Sequence, residues 1–524
     1  MGKYLNVGSA GFEAVRKGIY VDKTEMISFI NGTLGTTDKL TCVSRPRRFG
    51  KSYAAKMLCA YYDRSCDSRA LFEGLAISKD PSFEKYLNRY HVIYLDITLF
   101  ISMADDIKNA VKDMERAVVE ELQQIFPDVK KDRTLAGMLF NTVEAGTGKF
   151  IMIIDEWDAL FREAKTDSEL QKEYIDLLRG LFKSSWTDVI FEAVYMTGIL
   201  PIKRYGTQSA VSDFREYTML SPGRLVNYIG FTEQEVKALC RRYDMDFEGM
   251  KYWYDGYSFR RLESVYSPNS VMEAIKRDEF GSYWTRTETY ESLRIYIDLD
   301  EDGLKEAVIQ MLAGEQVRVD VGTFQNDMTN IRKKDDVLTL LVHLGYLAYD
   351  SEQEKVYIPN EEVKKEFLRA VSTSRHQEMV KLIQDSERLL EQTLNMDENA
   401  VASTIEEIHK GIGAPLNYNS EDSLRSAVRC AYIACDEEFI RDEELPAGHG
   451  YADIVYRPKK GVSRPAILIE LKWNKTAAAA IQQIRDKDYP NALRNYGGDI
   501  LLVGINYDER TKRHTCQIEK IVKK

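Results

Sequence analysis

KLTCVSRPRRFGKSYAAKMLCAYYD, residues 39–63, reads as a buried strand, a tight basic turn and a helix in immediate succession. KLTCVS (39–44) is the strand, and the helix opens at Lys51. This context suits a phosphate-binding loop, because loop amides cradle phosphate oxygens and the helix N-terminus adds a favourable dipole. The loop is Arg45-Pro46-Arg47-Arg48-Phe49-Gly50-Lys51-Ser52. Lys51 would reach the β- and γ-phosphates of ATP, and Ser52 would ligate Mg²⁺. Arg45 stands where the usual GxxxxGK(S/T) pattern has its first glycine, and the loop is rich in arginine.

The neighbouring segments extend this reading. HVIYLDIT (91–98), KFIMIIDE (149–156) and VIFEAVYMTGIL (189–200) read as further strands, with helical stretches such as ISMADDIKNAVKDMERAVVEELQQIF between them. That alternation is the rhythm of a parallel α/β sheet, which binds ligands at the carboxyl ends of its strands. The strand at 149–156 ends in two carboxylates. Asp155 would hold Mg²⁺ through water, and Glu156 would polarise the attacking water. Thr197, at the end of the next strand, either senses the γ-phosphate or satisfies a turn. Arg204, Arg215 and Arg286 are all open as an arginine finger.

From about residue 230 the pattern turns helical. GFTEQEVKALCRRY carries Thr232 three residues before Glu235, the spacing of a capping box. KYWYDGYSF holds an Asp-Gly turn in an aromatic run and predicts a tight loop or hairpin. Residues 335–372 give helix, two short strands and helix, a winged-helix-like order. Two polar amphipathic helices then serve as a connector, and a compact α/β unit follows.

That last unit carries a second constellation. GYADIVY (450–456) and AILIELKW (466–473) read as strands, the first entered through a glycine-rich turn. Alternation along the second puts Glu470 and Lys472 on one face, and a hairpin pairing would let Asp453 meet them. Phosphodiester hydrolysis needs such a set: carboxylates to hold one or two Mg²⁺, with Mn²⁺ as a substitute, and a cation to orient water. The apolar residues around Glu470 and Lys472 predict burial on both faces, and two buried charges require partners. Glu421, at the start of EDSLRSAVRCAYIAC, either completes the metal shell or is a helix N-terminal acid. Gln483 and Lys487, four apart on one helix, either touch backbone or water or form a solvated face.

The totals bound the answer. A chain of 524 residues predicts about three domains. Hydrophobic residues at 44% and charged ones at 30% are an ordinary globular balance. MGKYLNVGSAGFEAVRKG has no apolar signal region, and no apolar run approaches a membrane span, so a cytoplasmic location without membrane contact is expected. Seven scattered cysteines (42, 59, 66, 240, 430, 435, 516) argue against zinc ribbons and disulfides, with Cys430 and Cys435 as core residues. The net charge of −11 opposes nucleic-acid binding overall, but residues 411–524 hold roughly 18 Lys+Arg against 16 Asp+Glu, so the acidity sits elsewhere.

As an ordered set, YVDKT, RPRRFGKS, IIDEWD, MTG, WYDGYSF, VYSPNS, LGYL, YIPNEEV, GYADIV, IELKW and QIRDKDY resemble a bacterial and archaeal family, the AAA-ATPase-like proteins with a C-terminal PD-(D/E)xK nuclease domain. The resemblance spans nearly the whole chain, and the arginine-rich loop is typical of it. It implies a STAND-related P-loop ATPase joined to a restriction-endonuclease-like fold. It also implies that Lys51, Ser52, Asp155 and Glu156 form the nucleotide site. Asp453, Glu470 and Lys472 would form the nuclease core, supported by Glu421 and Gln483. Two positions depart from the family: Tyr451 replaces the usual Arg in GRAD, and Trp157 replaces the Tyr after the Asp-Glu pair.

The fold class expected is α/β: an N-terminal P-loop NTPase parallel sheet (1–228), a helical lid and winged-helix-like region (229–372), a helical connector (373–414) and a restriction-endonuclease-like domain (415–524). The expected function is ATP binding and hydrolysis that controls a Mg²⁺-dependent nuclease, in a setting of defence against phage or mobile elements. Expected partners are nucleic acid, DNA before RNA, a second copy of the chain and an unidentified activator. Two rivals stand beside this reading. One is an ATP-dependent switch or oligomeric scaffold with a catalytically silent nuclease-like domain, and the other is an ATPase acting on other proteins.

Overall fold

The computed structural model describes the chain except residues 1, 203, 206–207, 210, 212, 261, 285–289, 300–302, 325–330, 332, 413–420, 448–449, 460, 488–492, 494–495 and 523–524. It divides into two compact units. The first comprises Met1–Trp284 with Arg318–Val363, and the second Thr285–Val317 with Lys364–Lys524. Among the described residues no helix is long and apolar enough to cross a membrane.

The first unit is built on a parallel sheet of β1 (Leu40–Ser44), β2 (His91–Asp96), β3 (Phe150–Asp155), β4 (Phe191–Gly198) and β5 (Arg215–Tyr217), in the order β2-β3-β4-β1-β5. β1 and β3 are buried along their whole length, as strands covered on both faces must be. Cys42, Ile93, Met152, Ile154, Val194 and Met196 join helices 110–125, 135–144 and 168–182 in one core. Because β4 lies between β1 and β3, the phosphate loop after β1 and the carboxylates ending β3 share one sheet edge across it. α1 (Lys51–Tyr62) follows the loop directly.

Two local expectations need correction. The stretch ISMADDIKNAVKDMERAVVEELQQIF is not one helix. Ile97–Met103 ends before Asp105, a short 3₁₀ turn spans Ile107–Asn109, and the long helix is Ala110–Ile125. Asp96 caps the first piece by accepting Leu99 N, and Asp106 caps the turn by accepting Lys108 N. Aspartates that bond to nearby backbone compete with helix continuation, and here they win. KYWYDGYSF is likewise only half hairpin: Lys251–Tyr254 closes the helix Phe247–Tyr254, and the hairpin is Tyr257–Phe259 with Leu262–Tyr266. The capping box at Thr232 and Glu235 is present, with both reciprocal bonds. Helix Lys334–Leu344, strands Ala348–Asp350 and Lys355–Tyr357 and helix Glu361–Ser372 follow in the winged-helix-like order.

The second unit holds a mixed sheet of β6 (Phe439–Ala447), β7 (Gly450–Pro458), β8 (Ala466–Trp473), β9 (Ile500–Asp508) and β10 (Arg513–Ile521), in sequential order. Only β8 and β9 are parallel. Their crossover is α5 (Ala477–Asp486), as a parallel pair requires. The amphipathic helices α2 (Gln377–Leu394) and α3 (Glu398–Ile412) are bonded into this unit. Thr393 shares a 2.7 Å hydrogen bond with Tyr432, and Ile518 N donates to Glu398 at 2.8 Å. α4 (Glu421–Ala431) precedes the sheet, and Cys430 and Cys435 are buried core residues.

Candidate functional site

The phosphate loop is closed by its own lysine. Gly50 has φ 88° and caps α1, a left-handed conformation that glycine adopts at little cost. Lys51 Nζ is buried, donates to Pro46 O at 2.9 Å across the loop, and lies 3.8 Å from Glu156 Oε1. Burial pulls its pKa down. The other loop side chains do different work. Arg45 turns inward, where Nη1 donates to Ser44 O at 2.8 Å and Tyr217 O at 2.9 Å, and burial lowers it to about 10. Phe49 stands edge-on against Tyr257 with ring centroids 5.4 Å apart, and Pro46 abuts Gly345 so closely that a Cβ there would lie 2.6 Å from its ring. Arg48 Nη1 donates to Asn269 Oδ1, and Arg47 is half-buried. Pro46 and Phe49 therefore anchor the loop by packing, leaving the backbone to line its mouth.

Across the sheet edge, Asp155 is buried and accepts from Tyr94 OH at 3.2 Å and from Glu156 N at 3.1 Å, with the Ser52 hydroxyl close enough to favour its charged form. Burial raises its pKa to about 6. Glu156 sits at φ 53°, uncommon for a side-chain-bearing residue. Its Oε2 is held by Arg162 Nη2 at 2.5 Å, and Arg162 Nε donates to Asp158 at 3.1 Å. Asp158 is fully buried and accepts Ile199 N and Leu200 N, tying the end of β3 to the end of β4. Gly198 makes this approach possible, since a Cβ there would lie 2.5 Å from Asp158 Oδ1 and 2.6 Å from Trp157. Thr197 Oγ1 is buried with no hydrogen bond among the described residues, so its hydroxyl does not satisfy a turn. Arg215 pairs with Asp38 at 2.8 Å on the exposed surface. Arg204 opens the short strand Arg204–Tyr205, and Arg286 lies outside the described residues.

In the second unit the hairpin of β7 and β8 pairs Tyr456 with Ile467, Val455 with Leu468 and Ile454 with Ile469, so Asp453 comes next beside Glu470. Asp453 Oδ2 accepts Leu471 N at 2.9 Å. Lys472 Nζ donates to Glu470 Oε1 at 3.0 Å and to Leu471 O at 2.9 Å. Gln483, from α5, donates to the same Glu470 oxygen. Asp453, Glu470 and Lys472 are all buried. Burial, then the neighbouring Asp453, raises Glu470 to about 7, and Glu421 at the start of α4 is close enough to add to this. Lys487 stands exposed at the C-terminal end of α5.

Four residues that complete these sites were not singled out from the sequence: Tyr94, Asp158, Arg162 and Arg425. Arg425 Nη2 donates to Asp453 Oδ1 at 2.5 Å. A signal existed for two of them, because Arg162 lies four residues after Asp158 and Arg425 four after Glu421, a spacing that shares a helix face.

Both sites offer hard oxygen donors of the kind Mg²⁺ takes. At the nucleotide site these are the Ser52 hydroxyl and Asp155. At the other, Glu470 Oε2 is a buried carboxylate oxygen with no hydrogen-bond partner among the described residues, an orphan that a cation would satisfy. Among the described residues no group of three His, Cys, Asp or Glu side chains is placed to hold a metal ion by itself.

The raised Glu470 has a measurable consequence. The folded chain keeps this proton up to about pH 7, whereas an unfolded glutamate releases it near 4.5. The folded state binds the extra proton between those values, so stability falls as pH rises through that window. Glu470→Gln, which cannot titrate, is expected to melt at a higher temperature than the metal-free wild type at about pH 8, with the gap closing near the unfolded value. Equal melting temperatures at the higher pH would contradict the cost assigned to this buried carboxylate.

Comparison with known proteins finds a family match over each of the two regions. Residues 6–207 match the family described as "Predicted AAA-ATPase", and residues 421–516 match the PD-(D/E)XK nuclease superfamily. The chain thus carries an AAA-ATPase-like region at 6–207 followed by a C-terminal PD-(D/E)XK nuclease-superfamily region at 421–516. An "uncharacterized protein in vnfD 5'region" of Azotobacter chroococcum mcd 1 is 24% identical over 97% of both chains. Among solved structures, replication initiator DnaA bound to AMPPCP and single-stranded DNA is 11% identical, covering 72% of this chain and 92% of its own, with a TM-score of 0.28. The Aeropyrum pernix ORC2 protein in ADPNP–ADP complexes is 12% identical over 69% and 93%, also at 0.28. Scores this low describe a loose likeness and no more.

Proposed function

We propose that this chain binds and hydrolyses ATP with Mg²⁺ at the edge of its parallel sheet, and that ATP controls phosphodiester cleavage at Asp453, Glu470 and Lys472. The observation that carries the reading is the convergence of Asp453, Glu470, Lys472 and Gln483 through a hairpin register and a helix, all buried or half-buried. Burying such charges costs several kcal/mol each without partners, and their gathering at one point of the fold supports a functional role.

At the nucleotide site, Lys51 and the loop backbone, Arg45 to Gly50, would bind phosphates. Ser52 and Asp155 would hold Mg²⁺, and Glu156 would orient the attacking water. Thr197, whose hydroxyl is unbonded, would read the terminal phosphate. At the nuclease site, Asp453 and Glu470, with Glu421 beside them, would hold Mg²⁺ or Mn²⁺. When bound, that cation supplies charge for the developing phosphorane and lowers the pKa of a water. Lys472 would orient the nucleophile, and Gln483 would keep Glu470 in place. The substrate class is nucleic acid, DNA first, and the setting is cytoplasmic defence against phage or mobile elements.

A test of the coupling is ATP turnover with and without DNA. Turnover that changes several-fold on adding DNA supports a nuclease under nucleotide control. Turnover indifferent to DNA favours the ATPase that acts on other proteins.

A further inference from the structure

Arg425 occupies the place where the nuclease reading needs Asp453 to be open. Its Nη2 lies 2.5 Å from Asp453 Oδ1, shorter than the 2.9 Å bond that Leu471 N makes to the other oxygen. The pair is well shielded, with side chains 20% and 9% exposed. Arg425 also stands one helical turn after Glu421 on α4, so one face of that helix brings both an acid and a cation to the site. Three carboxylates, Asp453, Glu470 and Glu421, are thereby set against two cations, Lys472 and Arg425. A guanidinium is always charged and cannot yield by losing a proton. A divalent cation that ligates Asp453 Oδ1 meets the guanidinium's charge at that oxygen, and like-charge repulsion sets the two in competition for it.

We infer that Arg425 is the stand-in cation of the metal-free site, and that it competes with the divalent metal for Asp453. This rests on the metal-site reading above, and it adds a built-in threshold: the site charges with metal only when Arg425 lets go. The released guanidinium remains beside the carboxylates, placed to meet a phosphate of the substrate.

The test is Mn²⁺ binding by calorimetry to the full-length wild type, Arg425→Gln, Arg425→Lys and Asp453→Asn, with circular dichroism to check folding. Loss of a charge-assisted bond that blocks the ligand predicts a Kd about ten-fold or more tighter in Arg425→Gln, and a smaller tightening in Arg425→Lys. Asp453→Asn should lose this binding. Binding by Arg425→Gln alone, with none in the wild type, would also support the competition. An unchanged or weaker Kd in Arg425→Gln, with Asp453-dependent binding intact in the wild type, would overturn the role of Arg425 and leave the metal site standing. No Asp453-dependent binding in any variant would overturn both. Should Arg425→Gln fail to fold, Arg425→Lys decides, with an unchanged Kd counting against the proposal.

Discussion

Glu470→Ala should reduce strand cleavage by at least about 10³-fold while leaving ATP binding as it is. The side chain is the hub of its site. One oxygen accepts both Lys472 and Gln483, the other is buried without a hydrogen bond, and Asp453 lies alongside. Alanine removes the orphaned acceptor and leaves Lys472 buried without its carboxylate, so both the proposed metal ligand and the placement of Lys472 are lost. Asp453→Ala and Lys472→Ala should fail to cut for the same reasons. Nucleotide affinity, read with a fluorescent ATP analogue, should stay at the wild-type value, because the residues assigned to it belong to the other compact unit. Cleavage that survives in all three variants would mean the site is elsewhere.

Lys51→Ala should bring ATP hydrolysis down by on the order of 10²–10³-fold or to background. The loop is rich in arginine, yet Arg45 is committed to the carbonyls of Ser44 and Tyr217, and Arg48 reaches out to Asn269. Lys51 is the loop cation that faces Glu156, and its buried Nζ is held by Pro46 O, a carbonyl that the phosphate oxygens of a bound nucleotide would replace. Phosphate release measured at saturating ATP checks this. Normal turnover would remove the nucleotide assignment.

Much of the scaffold was legible because its strands are short apolar runs with charged residues within or beside them. KLTCVS, KFIMIIDE and AILIELKW announce themselves in this way, and Gly50 marks the turn into α1. The meeting of Asp453 with Glu470 was conditional on a pairing, since register depends on partners that one strand does not name. Tyr94 and Arg162 were hidden for a different reason. Tyr94 reaches Asp155 from the neighbouring strand β2, and Arg162 returns to Glu156 only after the chain has turned through Trp157 and Asp158. The run from Ile101 to Phe126 misled because its apolar spacing is helical, whereas the chain leaves the first helix after Met103 and Asp106 restarts it by bonding to backbone. Local hydrogen bonds of this kind weigh as much as periodicity over a single turn.

The most direct measurement is cleavage of plasmid and single-stranded DNA by the purified chain with Mg²⁺ or Mn²⁺, with and without ATP, beside Glu470→Ala. The expected result is cutting that disappears in Glu470→Ala and changes when ATP is added. Cutting that persists in Glu470→Ala, or none from the wild type under any of these conditions, would contradict an ATP-controlled nuclease and favour the nucleotide-dependent switch with a silent nuclease fold.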